Sequence, residues 1–169
     1  GGTDSATVTV VVTGTNDTPT ANGTIPPQTG VDSTVESPLD VSGFFGDVDA
    51  TNTLTFDAGT TLPAGLSINT NTGVITGVYD TDSSQSGPYT VVITATDDAG
   101  ATVTQTFTWT VTNPGPDATN DNLGTTENVA LSGDVMNVDN GAGIDSDVDG
   151  DAIFVSLVNG QATNVGATV

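Results

Sequence analysis

The 169-residue chain contains no lysine, arginine, histidine or cysteine, against 21 Asp and Glu residues, and its formal charge is −21. Without a basic side chain it can form no side-chain salt bridge, and without lysine it can form no Lys-Asn isopeptide staple. Without cysteine it can form no disulfide, and it offers neither thiolate nor imidazole to a soft metal. Nucleic acid is excluded as a partner and so is direct membrane contact, because Lys and Arg carry most of both interactions. No apolar run approaches the roughly 18 residues of a membrane helix, and no signal peptide is visible. An uncompensated acidic surface favours solubility but destabilises the compact state by self-repulsion, which leaves bound inorganic cations as the remedy. The first residue is Gly rather than Met, as expected of a segment cut from something longer.

What is present is a set of short alternating runs. High charge with low hydrophobicity can mean disorder, yet the Val, Ile and Phe residues are gathered into runs separated by Gly, Asp, Asn and Pro, the pattern of strands and turns. Ala6, Val8, Val10 and Val12 alternate with Thr and Val before the turn formers of 14–19, which reads as one strand and a linker. Residues 19–113 hold enough strands for a complete module. Val35, Leu39 and Val41 mark early strand positions, Leu54-Thr55-Phe56 a further strand, and residues 62–77 a hairpin turning at Asn69 to Gly73. Tyr89, Val91, Ile93 and Ala95 alternate before a turn at 97–100. Val103, Gln105, Phe107, Trp109 and Val111 alternate after it, with Thr at every even position from 102 to 112. One face of that strand is apolar apart from Gln105 and the other is entirely Thr, so it reads as a half-solvated strand with Trp109 anchoring the core. The expectation is an all-β fold, an antiparallel Greek-key β-sandwich.

Asp47-Val48-Asp49 recurs 100 positions later as Asp147-Val148-Asp149, and two Thr-rich strands end 99 positions apart at Thr13 and Thr112. A period of about 100 residues in strand-rich sequence indicates tandem sandwich modules. The organisation expected is therefore residues 1–18 as the last strand and linker of a preceding module, 19–113 as a complete sandwich, and 114–169 as a linker and the first half of a following module.

Each acidic phrase needs a partner. Two carboxylates about 5 Å apart repel by about 3 kcal/mol at an effective dielectric of about 20, and nothing basic in the chain can offset that. Calcium can, since it takes oxygen ligands from carboxylates, amides and carbonyls in flexible geometry. Cation binding is expected for Asp47 with Asp49 and for the group Asp145, Asp147, Asp149 and Asp151, whereas Asp4, Asp32, Asp40 and Asp57 read as solvated turn residues and Asp98 as a hairpin-turn residue.

Residues 44–113, with Phe45-Gly46-Asp47-Val48-Asp49, Leu62-Pro63-Ala64-Gly65-Leu66, Thr72-Gly73-Val74-Ile75-Thr76-Gly77 and Tyr89 through Asp97, resemble dystroglycan-type cadherin-like domains, also described as bacterial Ig domains. Residues 117–160, with Thr125-Thr126-Glu127-Asn128, Leu131-Ser132-Gly133, the 145–151 acids and Asn159-Gly160, resemble the start of cadherin-like repeats in very large RTX-type bacterial adhesins. The resemblance implies calcium-rigidified extender modules, exported by a type I route and displayed on the cell surface. It also implies a ligand set. Asn16 and Asp17 correspond to the linker element, and Asp47, Asp49 and Asp97 would meet them at the top of the module. Glu36, Asp80 and Asp82 correspond to the lower ligands, with Asp147 and Asp149 completing that site from the next module. The Arg of the family's Asp-Arg-Glu element is missing around Asp80 and Asp82. Asn113 falls on Asn16 when the two linkers are aligned, but Pro114 falls on Asp17, so the second linker's carboxylate is absent or comes from Asp117 or Asp121.

The leading functional reading is a spacer: modules joined through calcium that hold an adhesive region away from a bacterial surface. The alternative is a calcium-dependent module that binds glycan or peptide, with Tyr79 beside Asp80 as the contact or as packing at the module's edge, and any such ligand could equally bind elsewhere in the parent protein. Catalysis is not expected. Paired acids can cleave glycosides, but these lie on turns and no His, Cys or Lys supplies a base or nucleophile.

Overall fold

The computed structural model describes residues 1–11, 14–49, 53–129, 135–137, 141 and 143–156. The expected positions Val12 and Thr13 of the first strand, the motif Leu131-Ser132-Gly133 and the dipeptide Asn159-Gly160 lie outside the described residues.

Among the described residues nine strands form: β1 (Thr20–Ala21), β2 (Gln28–Val31), β3 (Leu39–Asp40), β4 (Phe45–Gly46), β5 (Thr55–Asp57), β6 (Leu66–Ile68), β7 (Val74–Gly77), β8 (Tyr89–Thr96) and β9 (Thr102–Thr112). Short 3-10 turns occupy Ser42–Phe44 and Ser83–Ser86, and the described residues contain no α-helix. No helix among them is long and apolar enough to cross a membrane. One sheet has the order β2-β9-β8-β5, a second β3-β7-β6, and β1 pairs with β4. The pairings are antiparallel with one exception, β2 on β9, which runs parallel with Val31 opposite Thr112.

The alternation in β9 decides how the sheets face. Gln105, Phe107, Trp109 and Val111 are buried while the intervening Thr residues are exposed, and Val91, Ile93 and Ala95 of β8 are buried beside them. Phe56 from β5 and Ile75 from β7 close the same cluster from the two sheets, so the segment from β1 to β9 is a β-sandwich around an apolar core. Phe45 meets Phe56 edge-on with ring centroids 5.8 Å apart, and Trp109 meets Phe107 at 5.9 Å and Tyr79 at 6.4 Å. Offset and edge-on aromatic pairs of this kind add to area burial. Gln105, the polar residue on the apolar face, is accommodated because its Nε2 donates to the Phe44 carbonyl and its Oε1 accepts the Ile25 N–H. A buried amide is tolerated when both its ends are paired.

The expected hairpin forms as β6–β7. Asn69 Oδ1 accepts the N–H groups of Asn71 and Thr72 at 3.0 and 3.1 Å, and Gly73 takes φ +70°. Its asparagine acts as its own turn template, and its glycine supplies the left-handed residue.

Several expectations need correction. The strand expected from residue 6 does not form among residues 1–11, and Val8, Val10 and Val11 are 82, 77 and 79% exposed. An alternating segment with no ladder to join gains too little burial to become a strand. Asp32 is not a solvated turn residue. It is fully buried, its backbone N–H donating to the Thr112 carbonyl at 3.1 Å and its Oδ1 accepting the Ser84 N–H at 2.9 Å. Tyr79 is not an exposed contact but a core residue, 2% exposed.

Candidate metal centres

At the upper end of the sandwich the chain brings together Asn16, Asp17, Asp47, Asp49 and Asp97. The turn after β8 fixes Asp97: its Oδ1 accepts the N–H groups of Ala99 and Ala101 at 2.9 and 2.8 Å, and its Oδ2 accepts the Asn16 side-chain amide at 2.8 Å. The Asn16 amide first, and those backbone N–H groups after it, hold the buried Asp97 carboxyl below the usual carboxylate range, against burial. Asp47 Oδ1 accepts the Asp49 N–H, and Asp49 Oδ2 accepts the Asp17 N–H, each at 2.8 Å. Two residues of the linker are thus hydrogen-bonded to two loops of the sandwich. Asp98, in the adjacent turn as expected, accepts the Thr53 N–H.

Beyond β9 the chain forms a narrow antiparallel strip, 113–119 against 143–151. Asn113 Nδ2 donates to Asp151 Oδ2 at 3.0 Å, Asp117 and Ser146 exchange backbone bonds, and the Thr119 N–H donates to Asp145 Oδ1 at 2.8 Å. From 143 to 155 the odd positions, Asp145, Asp147, Asp149 and Asp151 among them, are shielded and the even positions exposed. Asn113, Asp117, Asp145, Asp147 and Asp151 line a cavity of about 570 Å³ there.

The electrostatics of this strip differ from those at the upper end. The Asp149 N–H donates to Asp147 Oδ1 at 3.1 Å, and the two carboxyl groups are themselves in contact. The Asp149 side chain holds Asp147 below the usual carboxylate range, while the Asp147 side chain, then burial, pushes Asp149 above it. Asp149 is 5% exposed, and its Oδ2 is enclosed with no hydrogen-bond partner. Two carboxyls in contact need a shared proton or a cation between them, and a buried oxygen without a donor is the complementary half of such a site. Asp149 therefore fits a hard cation. The upper cluster fits one less directly, because amide donors already engage both Asp97 oxygens and one oxygen each of Asp47 and Asp49. Among the described residues, no three acidic side chains are drawn together into a preformed metal cage.

The other expected lower ligands lie elsewhere. Asp80 and Asp82 line a separate cavity of about 630 Å³ with Ser33, Tyr79 and Ser86. Glu36 Oε2 accepts the Tyr79 hydroxyl, which in turn accepts the Trp109 indole N–H at 2.9 Å. Glu36 thus ends a polar chain leading into the core, and burial together with that carboxylate pushes the Tyr79 hydroxyl well above its ordinary range. Sequence reasoning missed Asp32, whose Oδ2 is buried without a partner. No signal in the sequence sets it apart, since its burial depends on the pairing of β2 with β9.

Two solved structures are similar to part of the chain. It is 17% identical to Drosophila N-cadherin EC1-4 over 57% of its own length and 25% of that chain, with a TM-score of 0.44. It is 17% identical to Drosophila N-cadherin EC1-3 over 59% of its length and 35% of that chain, with a TM-score of 0.41. The matched region is therefore a minor part of either cadherin chain. No curated protein matches the sequence. The family model described as "Putative Ig domain" matches residues 18–112, which span β1 through β9 and their connections. This chain belongs to that Ig-domain family.

Proposed function

We propose that the chain is a calcium-rigidified spacer from an extracellular bacterial adhesin, in which a complete sandwich over 19–113 is joined by cations to its neighbours on either side. The observation that carries this reading is the enclosed, unpartnered Oδ2 of Asp149 beside the Asp147 carboxyl. In a chain of charge −21 without a basic side chain, no side chain of the protein can neutralise that charge, and an exogenous cation can. Asn113, at the end of the sandwich, donates to Asp151 of the same acidic strip. An ion held among Asp145, Asp147, Asp149 and Asp151 would therefore fix the segment that leaves the sandwich. Asn16 and Asp17 stand in the same relation to Asp97 and Asp49 at the other end. Calcium suits these donors because they are oxygens on turns and extended segments, and it tolerates irregular geometry and bound water.

The test is calorimetric titration of calcium into the full chain, with small-angle scattering in calcium and in chelator. Calcium should bind, raise the melting temperature and lengthen the particle. Ion binding to the folded state alone stabilises by about 2.7 kcal/mol at about 100 times the Kd. Asp149→Asn should abolish the joint ion and, in chelator, be no less stable than the parent, since it removes a like charge. Absence of binding heat, with scattering unchanged by chelator, would refute the spacer reading.

A further inference from the structure

Asn22-Gly23 is a pair that neither the core nor the joint uses. Of the three Asn-Gly pairs in the sequence, it is the one whose residues are both described. The chain leaves β1 with the Asn22 N–H donating to the Phe44 carbonyl at 2.8 Å, and Gly23 then takes φ +73°. Asn22, Gly23 and Thr24 are exposed, and a Cβ placed on Gly23 would meet nothing within 4 Å. Among the described residues no group bonds the Asn22 side-chain amide or accepts the Gly23 N–H. Other asparagines are differently placed. The Asn16 amide donates to Asp97 and to the Asp17 carbonyl, the Thr72 N–H that follows Asn71 is held by Asn69 Oδ1, and Asn113 precedes a proline, which has no N–H.

We propose that Asn22 is a site of spontaneous deamidation. The Gly23 nitrogen bonds to the Asn22 side-chain carbonyl carbon, its proton passes to hydroxide, and the amide nitrogen takes up a proton from water and leaves as ammonia. Water then opens the five-membered imide at either carbonyl, which leaves an aspartyl or an isoaspartyl residue at position 22. Glycine favours the attack because no side chain shields its nitrogen, and neither reacting group has a hydrogen bond within the protein to give up first. The Asn22 amide nitrogen lies 2.6 Å from where a Cβ on Gly46 would stand, and Gly46 precedes Asp47 of the upper cluster. The aspartyl product therefore sets one more carboxylate against that end of a chain already at −21. The isoaspartyl product lengthens by one carbon the link from β1 to the buried Ile25.

The test is incubation of the full chain in mildly alkaline buffer, folded and in urea, followed by cleavage before Asp and mass spectrometry. The peptide 17–31 contains Asn22 as its single asparagine. It should gain the mass of an amide-to-acid conversion, with a new cut at position 22 marking the aspartyl form and resistance to cutting marking the isoaspartyl form. The rate in the folded chain should stay within about tenfold of the rate in urea, because the reacting groups need no unfolding to meet. Asn22→Gln should remove the fast product. Slowing by more than about tenfold on folding would overturn the proposal, since the turn would then protect the amide. Persistence of the product in Asn22→Gln would overturn it as well, by placing the reaction on Gln28. Neither outcome depends on whether calcium binds.

Discussion

Replacing Tyr79 by Phe tests how the core and the lower end are tied together. The hydroxyl accepts the indole N–H of Trp109, which is 0% exposed, and donates to Glu36, which is half-buried. The substitution keeps the ring in its edge-on contact with Trp109, so the loss is almost purely polar. The stranded indole N–H has no route to solvent and costs about 1–3 kcal/mol. Glu36 can turn outward, so its lost bond costs about 0.5–1.5 kcal/mol. The two together centre on about 3 kcal/mol, which corresponds to a fall of about 12–24 °C in melting temperature for a domain of about 100 residues. Trp109 is the chain's single tryptophan, so urea unfolding followed by its fluorescence reads the sandwich alone. A double-mutant cycle with Glu36→Gln apportions the effect: in the Tyr79→Phe background the second substitution should cost almost nothing, because the bond it removes is already gone. If Tyr79→Phe stays within about 0.5 kcal/mol of the parent, the relay contributes nothing to stability and the reasoning fails.

The same hydroxyl sets an alkaline limit. Its folded-state pKa lies above its unfolded value of 10.0, so its contribution is complete below that value and is lost as pH rises through the folded pKa. A melting-temperature series above pH 10.0 should therefore fall more steeply for the parent than for Tyr79→Phe, and parallel curves would contradict it. Gly30→Ala should destabilise by about 1–3 kcal/mol, the usual cost of overpacking, since a Cβ there would fall on the Tyr79 ring. Chemical denaturation measures this, and a neutral result would mean that β2 can shift away from the core without loss.

The central strands were legible in the sequence because their alternation is long. Eleven residues of strict Thr and apolar alternation, broken only by Gln105, make β9, whose burial follows the pattern residue by residue. The hairpin at Asn69 and Gly73 was legible through its turn chemistry. Residues 6–11 carry an equally clear alternation and form no strand, because periodicity says which face would be buried and not whether a partner is present to bury it. The same distinction governs the candidate sites. Asn16, Asp17, Asp47, Asp49 and Asp97 are joined by hydrogen bonds as a set, since turns flanking long strands have fixed positions. Asp32 is buried where a solvated turn residue was expected, and Glu36 accepts the Tyr79 hydroxyl, because a buried acid and a solvated one look alike until the residues packed over them are known. Tyr79 was a loop residue in sequence and a core residue in space, for it follows the two-residue step from Gly77 that carries the chain back beneath Trp109.

The parallel pairing of β2 with β9 has a mechanical consequence. β2 lies near the start of the sandwich and β9 at its end, and the two run side by side in the same direction with Gln28 opposite Trp109 and Val31 opposite Thr112. Tension applied between the two ends of the sandwich would pull the beginning of one strand away from the end of the other, along their common axis. Hydrogen bonds between strands loaded in that direction slide together and share the force, whereas those of a hairpin pulled from its open end break singly, in succession. The pairing thus acts as a shear clamp across the line of load.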